Sequence, residues 1–192
     1  MYSSVLSVAF TYLWAVLKWT YLLVFNCCIH LRTTFPLLYT HMPHSYLVIG
    51  GNGFLGRHVI EQIRLRKDNS TISVFDIAKP AEPDADVTYL VGDLRKFDDV
   101  YGALDGITAV IHTASPPHVN SPNPPRDLYF SINVEGTRNI IRACQEKGVQ
   151  ILVVTSSGSV ISTGEPMVNV DESTPYPPEA IDVYTESKVT WW

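Results

Sequence analysis

Strand, glycine turn and helix follow one another without a spacer between residues 46 and 65. Tyr46–Ile49 is a short apolar run that reads as a buried strand. Gly50-Gly51-Asn52-Gly53-Phe54-Leu55-Gly56 comes next, and in Arg57–Leu65 the residues Val59, Ile60 and Ile63 recur at helical spacing. In such a unit Gly50 permits the tight turn, Gly53 lets backbone approach a pyrophosphate, and Gly56 lets the helix pack on the strand. The helix N-terminus adds N–H groups and the positive end of the macrodipole. Gly50, Gly53, Phe54, Leu55 and Gly56 are therefore the expected phosphate cradle.

A second strand, Ile72–Phe75, ends in Asp76, twenty residues after Gly56. From there a carboxylate can accept hydrogen bonds from the hydroxyls of an adenosine ribose and repels a 2′-phosphate. No Arg follows it directly, and Lys79 is the nearest basic residue, so NAD is expected rather than NADP. The alternation continues with strand Val87–Val91 before Gly92-Asp93-Leu94, helix Phe97–Leu104, and strand Ala109–His112 before Thr113-Ala114-Ser115. A loop from Pro116 to Pro125 carries five prolines and is expected to be an ordered surface loop or lid. Helix Leu128–Lys147, closed by Gly148, and strand Ile151–Val154 complete the series. Short apolar strands alternating with amphipathic helices predict a doubly wound α/β domain around a parallel sheet.

Ligands of such sheets bind beyond the carboxyl ends of the strands, where Asp76, Asp93, Thr113–Ser115 and Thr155–Ser157 gather. Further on stands Tyr184-Thr185-Glu186-Ser187-Lys188. Tyr and Lys at i and i+4 share one helix face. A nearby ammonium and an oxidised nicotinamide would both favour the phenolate, making Tyr184 a base for an alcohol proton while the carbon gives up hydride. Lys188 would also hold the nicotinamide ribose, and Ser157 would hydrogen-bond the reacting oxygen.

The chain of 192 residues is 46% hydrophobic and only 17% charged. Residues 1–43 hold just Lys18 and Arg32, whereas residues 44–192 carry all 19 acidic side chains and a net charge of −7. An acidic domain without basic clusters argues against a nucleic-acid partner. Cys27, Cys28 and Cys144 form neither a disulfide framework nor a metal set. The apolar stretch Val5–Ile29, broken by Lys18, is long enough to span a bilayer core. It fits a bilayer span, an interfacial anchor, or an upstream extension of the reading frame. Arg32, His41 and His44 beyond it favour the cytoplasmic side for residues 44–192.

Six ordered motifs resemble the extended short-chain dehydrogenase/reductases, in particular their 3β-hydroxysteroid dehydrogenase/isomerase family and its sterol-4α-carboxylate 3-dehydrogenase (decarboxylating) branch. They are Gly-Gly-Asn-Gly-Phe-Leu-Gly at 50–56, Gly-Asp-Leu at 92–94, His-Thr-Ala-Ser-Pro at 112–116, Asn-Val-Glu-Gly-Thr-Arg-Asn at 133–139, Thr-Ser-Ser-Gly-Ser-Val at 155–160 and Tyr-Thr-Glu-Ser-Lys at 184–188. The resemblance implies an NAD(P)-dependent oxidation of a sterol 3β-hydroxyl, followed by decarboxylation of the β-keto acid, with Ser157, Tyr184 and Lys188 as catalytic residues. It implies that Asp93 and Leu94 flank the adenine, that Thr113, Ala114 and Ser115 pass beside the cofactor, and that Asn133 braces the central strands through backbone contacts. The expected partners are a small-molecule sterol, a membrane of the endoplasmic reticulum or a lipid droplet, and a second copy of the chain; without the anchor the expected compartment is the cytoplasm. Members of the family continue past the Tyr-x-x-x-Lys helix into a sixth strand and a substrate region, whereas this sequence stops at Trp192. The expectation is a C-terminally truncated chain, with its own turnover in doubt. The rival readings are a dihydroflavonol-reductase-like or nucleotide-sugar enzyme and a non-catalytic dinucleotide-binding remnant.

Overall fold

The structure is a computed structural model, and it describes residues 7–12, 25–30, 43–116, 125–171 and 173–190. Most of the proline-rich loop, residues 117–124, and the final Trp191-Trp192 lie outside the described residues.

Five parallel strands form the centre of the molecule: β3 (Ser45–Ile49), β4 (Thr71–Asp76), β5 (Val87–Val91), β6 (Ala109–His112) and β7 (Ile151–Thr155). Two further strands come from the N-terminal segment, β1 (Ser7–Tyr12) and β2 (Phe25–His30), and the sheet order is β1-β2-β7-β6-β3-β4-β5. β2 runs antiparallel to both β1 and β7. These strands occupy two parts of the apolar stretch Val5–Ile29, whose middle, residues 13–24, lies outside the described residues. Among the described residues no helix is long and apolar enough to cross a membrane.

From β3 the chain winds outward to β4 and β5, then returns past β3 to β6 and β7. The direction of winding reverses between β3 and β6, which opens a crevice at their carboxyl ends. The register places Ile49 beside both Phe75 and His112, and His112 beside Val154, so the strand ends finish level along one edge.

Successive strand residues face opposite sides of the sheet. Leu47 and Ile49 pack with Phe75, Val110, Leu152 and Val154 against helices α2 (Phe97–Ala103) and α4 (Thr137–Lys147). Tyr46 and Val48 pack with Val74 and Val87 against Ile60 and Ile63 of α1 (Phe54–Leu65) on the other side. The sheet is thus covered on both faces, as the alternation predicts. Gly148 closes α4 in the left-handed conformation, φ 70°.

The expected helix Leu128–Lys147 is present but not regular. It begins as α3 (Arg126–Tyr129), continues as a π-helical segment over Phe130–Gly136, and returns to α geometry in α4. Its periodicity reads as one regular helix, and tertiary contacts override that reading. Asn133, Gly136 and Thr137 each meet a fixed partner on a different neighbouring segment. Such bulges inside α-helices are frequent at functional sites.

Candidate active site at the carboxyl edge of the sheet

The glycine turn is built by close approach. Gly50 has φ +80°, and a Cβ there would lie 2.6 Å from backbone atoms of Ala114. A Cβ on Gly56 would lie 2.4 Å from the Gly50 carbonyl oxygen. Gly50 N–H donates to Phe75 O at 2.9 Å, and Thr113 N–H donates to Ile49 O at 2.8 Å, so the turn is sewn to the strands on both sides. Thr113 Oγ1 also donates to Ile49 O at 2.9 Å, which turns its hydroxyl toward the β3 end. Phe54 and Leu55 open α1, whose first turn has no side-chain cap and no acidic residue. Phe54 is exposed and its ring lies 4.5 Å from that of His58.

Asp76 sits at the end of β4 beside this turn. One carboxylate oxygen accepts from Asn52 N–H at 3.0 Å and the other from Ile77 N–H at 2.8 Å. A carboxylate has about four lone-pair positions, so capacity remains for two hydroxyl donors. Asp93 is differently placed. Arg95 grips its carboxylate through two nitrogens, at 2.9 and 2.6 Å, and holds it below the usual carboxylate range. Leu94 packs on Gly136, where a Cβ would fall 1.6 Å from Leu94 Cδ1.

The second cluster forms where α5 (Val183–Thr190) meets the end of β7. Asp182 starts this helix by accepting from Thr185 N–H at 2.6 Å, an N-cap contact. Tyr184 is hydrogen-bonded to Ser157. Lys188 lies one turn on, its Nζ 5.8 Å from the Tyr184 ring centroid. The ammonium is buried and donates to Thr155 O at 3.4 Å. Burial pulls its pKa down to about 8. Tyr184 moves the opposite way to the expectation for a base with an ammonium beside it. Burial holds the phenol above its ordinary value and outweighs the Ser157 hydrogen bond that lowers it. A further positive charge beside the ring would lower it.

Asn133 joins the two clusters, and it does so through its side chain rather than through the backbone contacts expected of it. Its amide nitrogen donates to Ser187 Oγ at 2.8 Å, and its amide oxygen accepts from Ser115 Oγ at 3.1 Å. Ser115 thus faces the π-helical segment, while Ala114 lies against Gly50. Arg126 pairs with Glu186, so α3 is also clamped to α5. Thr155 Oγ1 donates to His112 O at 3.0 Å, which fixes the strand end that holds Lys188.

The sequence assigns no individual role to Asn52, Ser159 or the Arg126–Glu186 pair, and it places Thr155 at the strand edge without the His112 contact that the structure shows. Only Arg126 and Glu186 carry a signal, opposite charges, and their separation of sixty residues hides it. Among the described residues no group of His, Cys, Asp and Glu could hold a metal ion.

Residues 47–190 match the model of the 3-beta hydroxysteroid dehydrogenase/isomerase family. The chain is 43% identical over 142 residues to the bovine (Bos taurus) protein named sterol-4-alpha-carboxylate 3-dehydrogenase, decarboxylating, an alignment covering 74% of this chain and 38% of that one. The human (Homo sapiens) protein of the same name is 44% identical, with 74% and 36% covered. The chain therefore spans well under half the length of these curated relatives. Among solved structures, a short-chain dehydrogenase/reductase superfamily protein from Agrobacterium tumefaciens with bound NAD superposes with a TM-score of 0.65 at 31% identity, over 76% of this chain and 42% of that one. The UDP-glucose 4-epimerase of Thermus thermophilus, complexed with NAD, gives a TM-score of 0.63 at 28% identity, over 77% and 48%.

Proposed function

The chain belongs to the 3-beta hydroxysteroid dehydrogenase/isomerase family, and from that premise we propose that it carries the dinucleotide site and the catalytic residues of an NAD-dependent dehydrogenase. Its substrate is the 3β-hydroxyl of a 4α-carboxysterol. The observation that carries the reading is the meeting of Ser157, Tyr184 and Lys188 at the same sheet edge as the glycine turn and Asp76.

The residues fit a dinucleotide. The turn is a cradle in which side chains at Gly50 and Gly56 would strike backbone, and the uncapped first turn of α1 presents N–H groups suited to phosphate. Asp76 retains acceptor capacity for ribose hydroxyls and repels a 2′-phosphate, which favours NAD over NADP. When bound, the oxidised nicotinamide supplies a hydride acceptor and a positive charge. Tyr184, as phenolate, takes the proton from the sterol hydroxyl as the C3–H bond breaks. Ser157 orients the reacting oxygen. Lys188 holds positive charge beside the phenolate and would hold a ribose hydroxyl of the cofactor. Oxidation at C3 leaves a β-keto acid at C4, whose C–CO2 bond breaks to give CO2 and an enol, so decarboxylation asks for no further group on this chain.

Identities of 43% and 44% to the sterol enzymes, against 28% to the nucleotide-sugar epimerase, support the sterol reading over its sugar rival. The apolar side chains of residues 5–29, two parts of which pair as β1 and β2 in the sheet, support an interfacial place at the endoplasmic reticulum membrane or a lipid droplet rather than a bilayer span, with residues 44–192 toward the cytoplasm. A homodimer is part of the same proposal, testable by sedimentation.

The test is to supply the chain with NAD and a 4α-carboxy-3β-hydroxysterol and to follow NADH and CO2 together. The expected result is equal amounts of both, with Tyr184→Phe slowing turnover by about 10²- to 10⁴-fold. NAD binding without any NADH would leave the remnant reading in place of this one.

A further inference from the structure

Ser157 Oγ lies 2.8 Å from Ser159 Oγ, with either atom able to donate, and it also accepts from Ser159 N–H at 3.2 Å. We propose that Ser159 is a positioning residue for this site: its hydroxyl decides which way the Ser157 proton points, and so lets Ser157 donate to Tyr184 when Tyr184 ionises. The inference rests on the catalytic reading of Ser157 and Tyr184 given above and extends it by one residue.

Counting protons leads to the proposal. A serine hydroxyl has one proton and two acceptor positions. The Ser159 N–H occupies one acceptor position of Ser157 in every state, because it caps the 3₁₀ turn Gly158–Ile161. When Tyr184 is a phenol, it donates to the second position, and the Ser157 proton goes to Ser159 Oγ. A phenolate accepts only. Once Tyr184 has lost its proton, Ser157 must swing its own proton toward the phenolate, which frees the second acceptor position. Ser159 Oγ–H then turns to fill it. Both hydrogen bonds of the chain invert and neither is lost. The inverted chain ends on a negative charge, where hydrogen bonds are shorter and stronger and polarise one another. Without the Ser159 hydroxyl the phenolate state loses its outer donor, and the phenol state leaves the Ser157 proton without its partner in the pair. The first loss is the larger, so the phenolate is disfavoured.

The charged and titratable groups around Tyr184 stay the same when Ser159 changes. They are Lys188 on its own helix, Asp182 at the helix start and Tyr129 on α3, with ring centroids 6.1 Å apart. Arg126 and Glu186 are paired with each other. Neither β7 nor the 3₁₀ turn contributes an ionisable side chain.

The test is a pH titration of the full chain labelled with [¹³Cζ]tyrosine and followed by NMR. Ten tyrosines are present, and Tyr184→Phe identifies the resonance of interest. Ser159→Ala is expected to lower the ratio of phenolate to phenol at Tyr184 about fivefold at a given pH, the worth of one hydrogen bond. Ser159→Thr, which keeps the hydroxyl, restores it. With Ser157 already changed to Ala, removing the Ser159 hydroxyl as well is expected to change nothing further. An unchanged Tyr184 titration in Ser159→Ala overturns the proposal. So does a further fall in the double variant, since Ser159 would then not act through Ser157. The titration needs no turnover: loss of the dehydrogenase reading shows as absent NADH formation, whereas loss of this proposal shows only in the resonance.

Discussion

His112 shows how the site depends on single side chains. It is almost wholly buried at the end of β6. Thr137 donates its one hydroxyl proton to Asn133 O at 2.7 Å, so at the 3.1 Å contact His112 Nε2 must be the donor to Thr137 Oγ1. Burial, with Lys188 adding repulsion, pushes its pKa down to about 3, so the imidazole is neutral and carries its one proton on Nε2. In the unfolded chain the ring takes up a proton near its ordinary pKa of about 6.5. Between pH 6.5 and 3 the unfolded state thus binds more protons, and stability falls as pH falls through that window. Between pH 7 and pH 5 the expected loss is about 2 kcal/mol. Urea unfolding at the two pH values measures it, and His112→Gln should flatten the difference. A parent protein equally stable at both would contradict the neutral buried imidazole.

Elements are arranged around the irregular helix that runs from Arg126 to Lys147. Within its π-helical segment Asn133 reaches Ser115 and Ser187, and Gly136 meets Leu94. The segment thus ties Leu94, which in the proposed reading would flank adenine, to α5, which carries Tyr184 and Lys188. Gly136→Ala would drive Cβ to 1.6 Å from Leu94 Cδ1. The leucine must then turn away, at an expected cost of about 1–3 kcal/mol in unfolding free energy. In a Leu94→Ala background the same change should cost much less, and a double-mutant cycle by chemical denaturation reads the coupling. Additive effects would mean that the helix shifts instead of the leucine.

For the whole molecule, the reversal of winding between β3 and β6 puts the glycine turn, Asp76 and α5 around one crevice. A dinucleotide that binds only the folded state stabilises it by mass action, by about 2.7 kcal/mol at a concentration one hundred times Kd. Thermal unfolding with increasing NAD is expected to show this rise. NADP should give a smaller one, because in the proposed reading Asp76 would accept from the 2′-hydroxyl and repel a phosphate there. Asp76→Ala should weaken the NAD response and also loosen the turn, since Asn52 N–H loses its acceptor. Equal responses to NAD and NADP in the parent would remove Asp76 from the choice between them.

Much of this was legible in the residues themselves. The strand before the glycine turn is expected at Tyr46–Ile49 and found at Ser45–Ile49; Val87–Val91 and Ala109–His112 are found as read. Apolar runs of four or five residues rich in β-branched side chains and bounded by Gly or polar residues are too short for a buried helix, and a strand satisfies their backbone while burying their side chains. The glycine cradle, Asp76 and the Tyr184–Lys188 spacing were equally local, because each depends on backbone sterics or on the pitch of one helix. The tertiary structure decided the rest. The π-helical segment exists because Ser115, Ser187, Leu94 and His112, all distant in sequence, present fixed partners to one helix. Tyr184 is pushed above its ordinary pKa by burial among elements that no local spacing encodes; the grip of Arg95 on Asp93, two residues apart, is by contrast a local contact. The sequence determined which elements form and which chemical groups they carry; only the close packing of those elements set the hydrogen-bond partners and charge states that govern the chemistry.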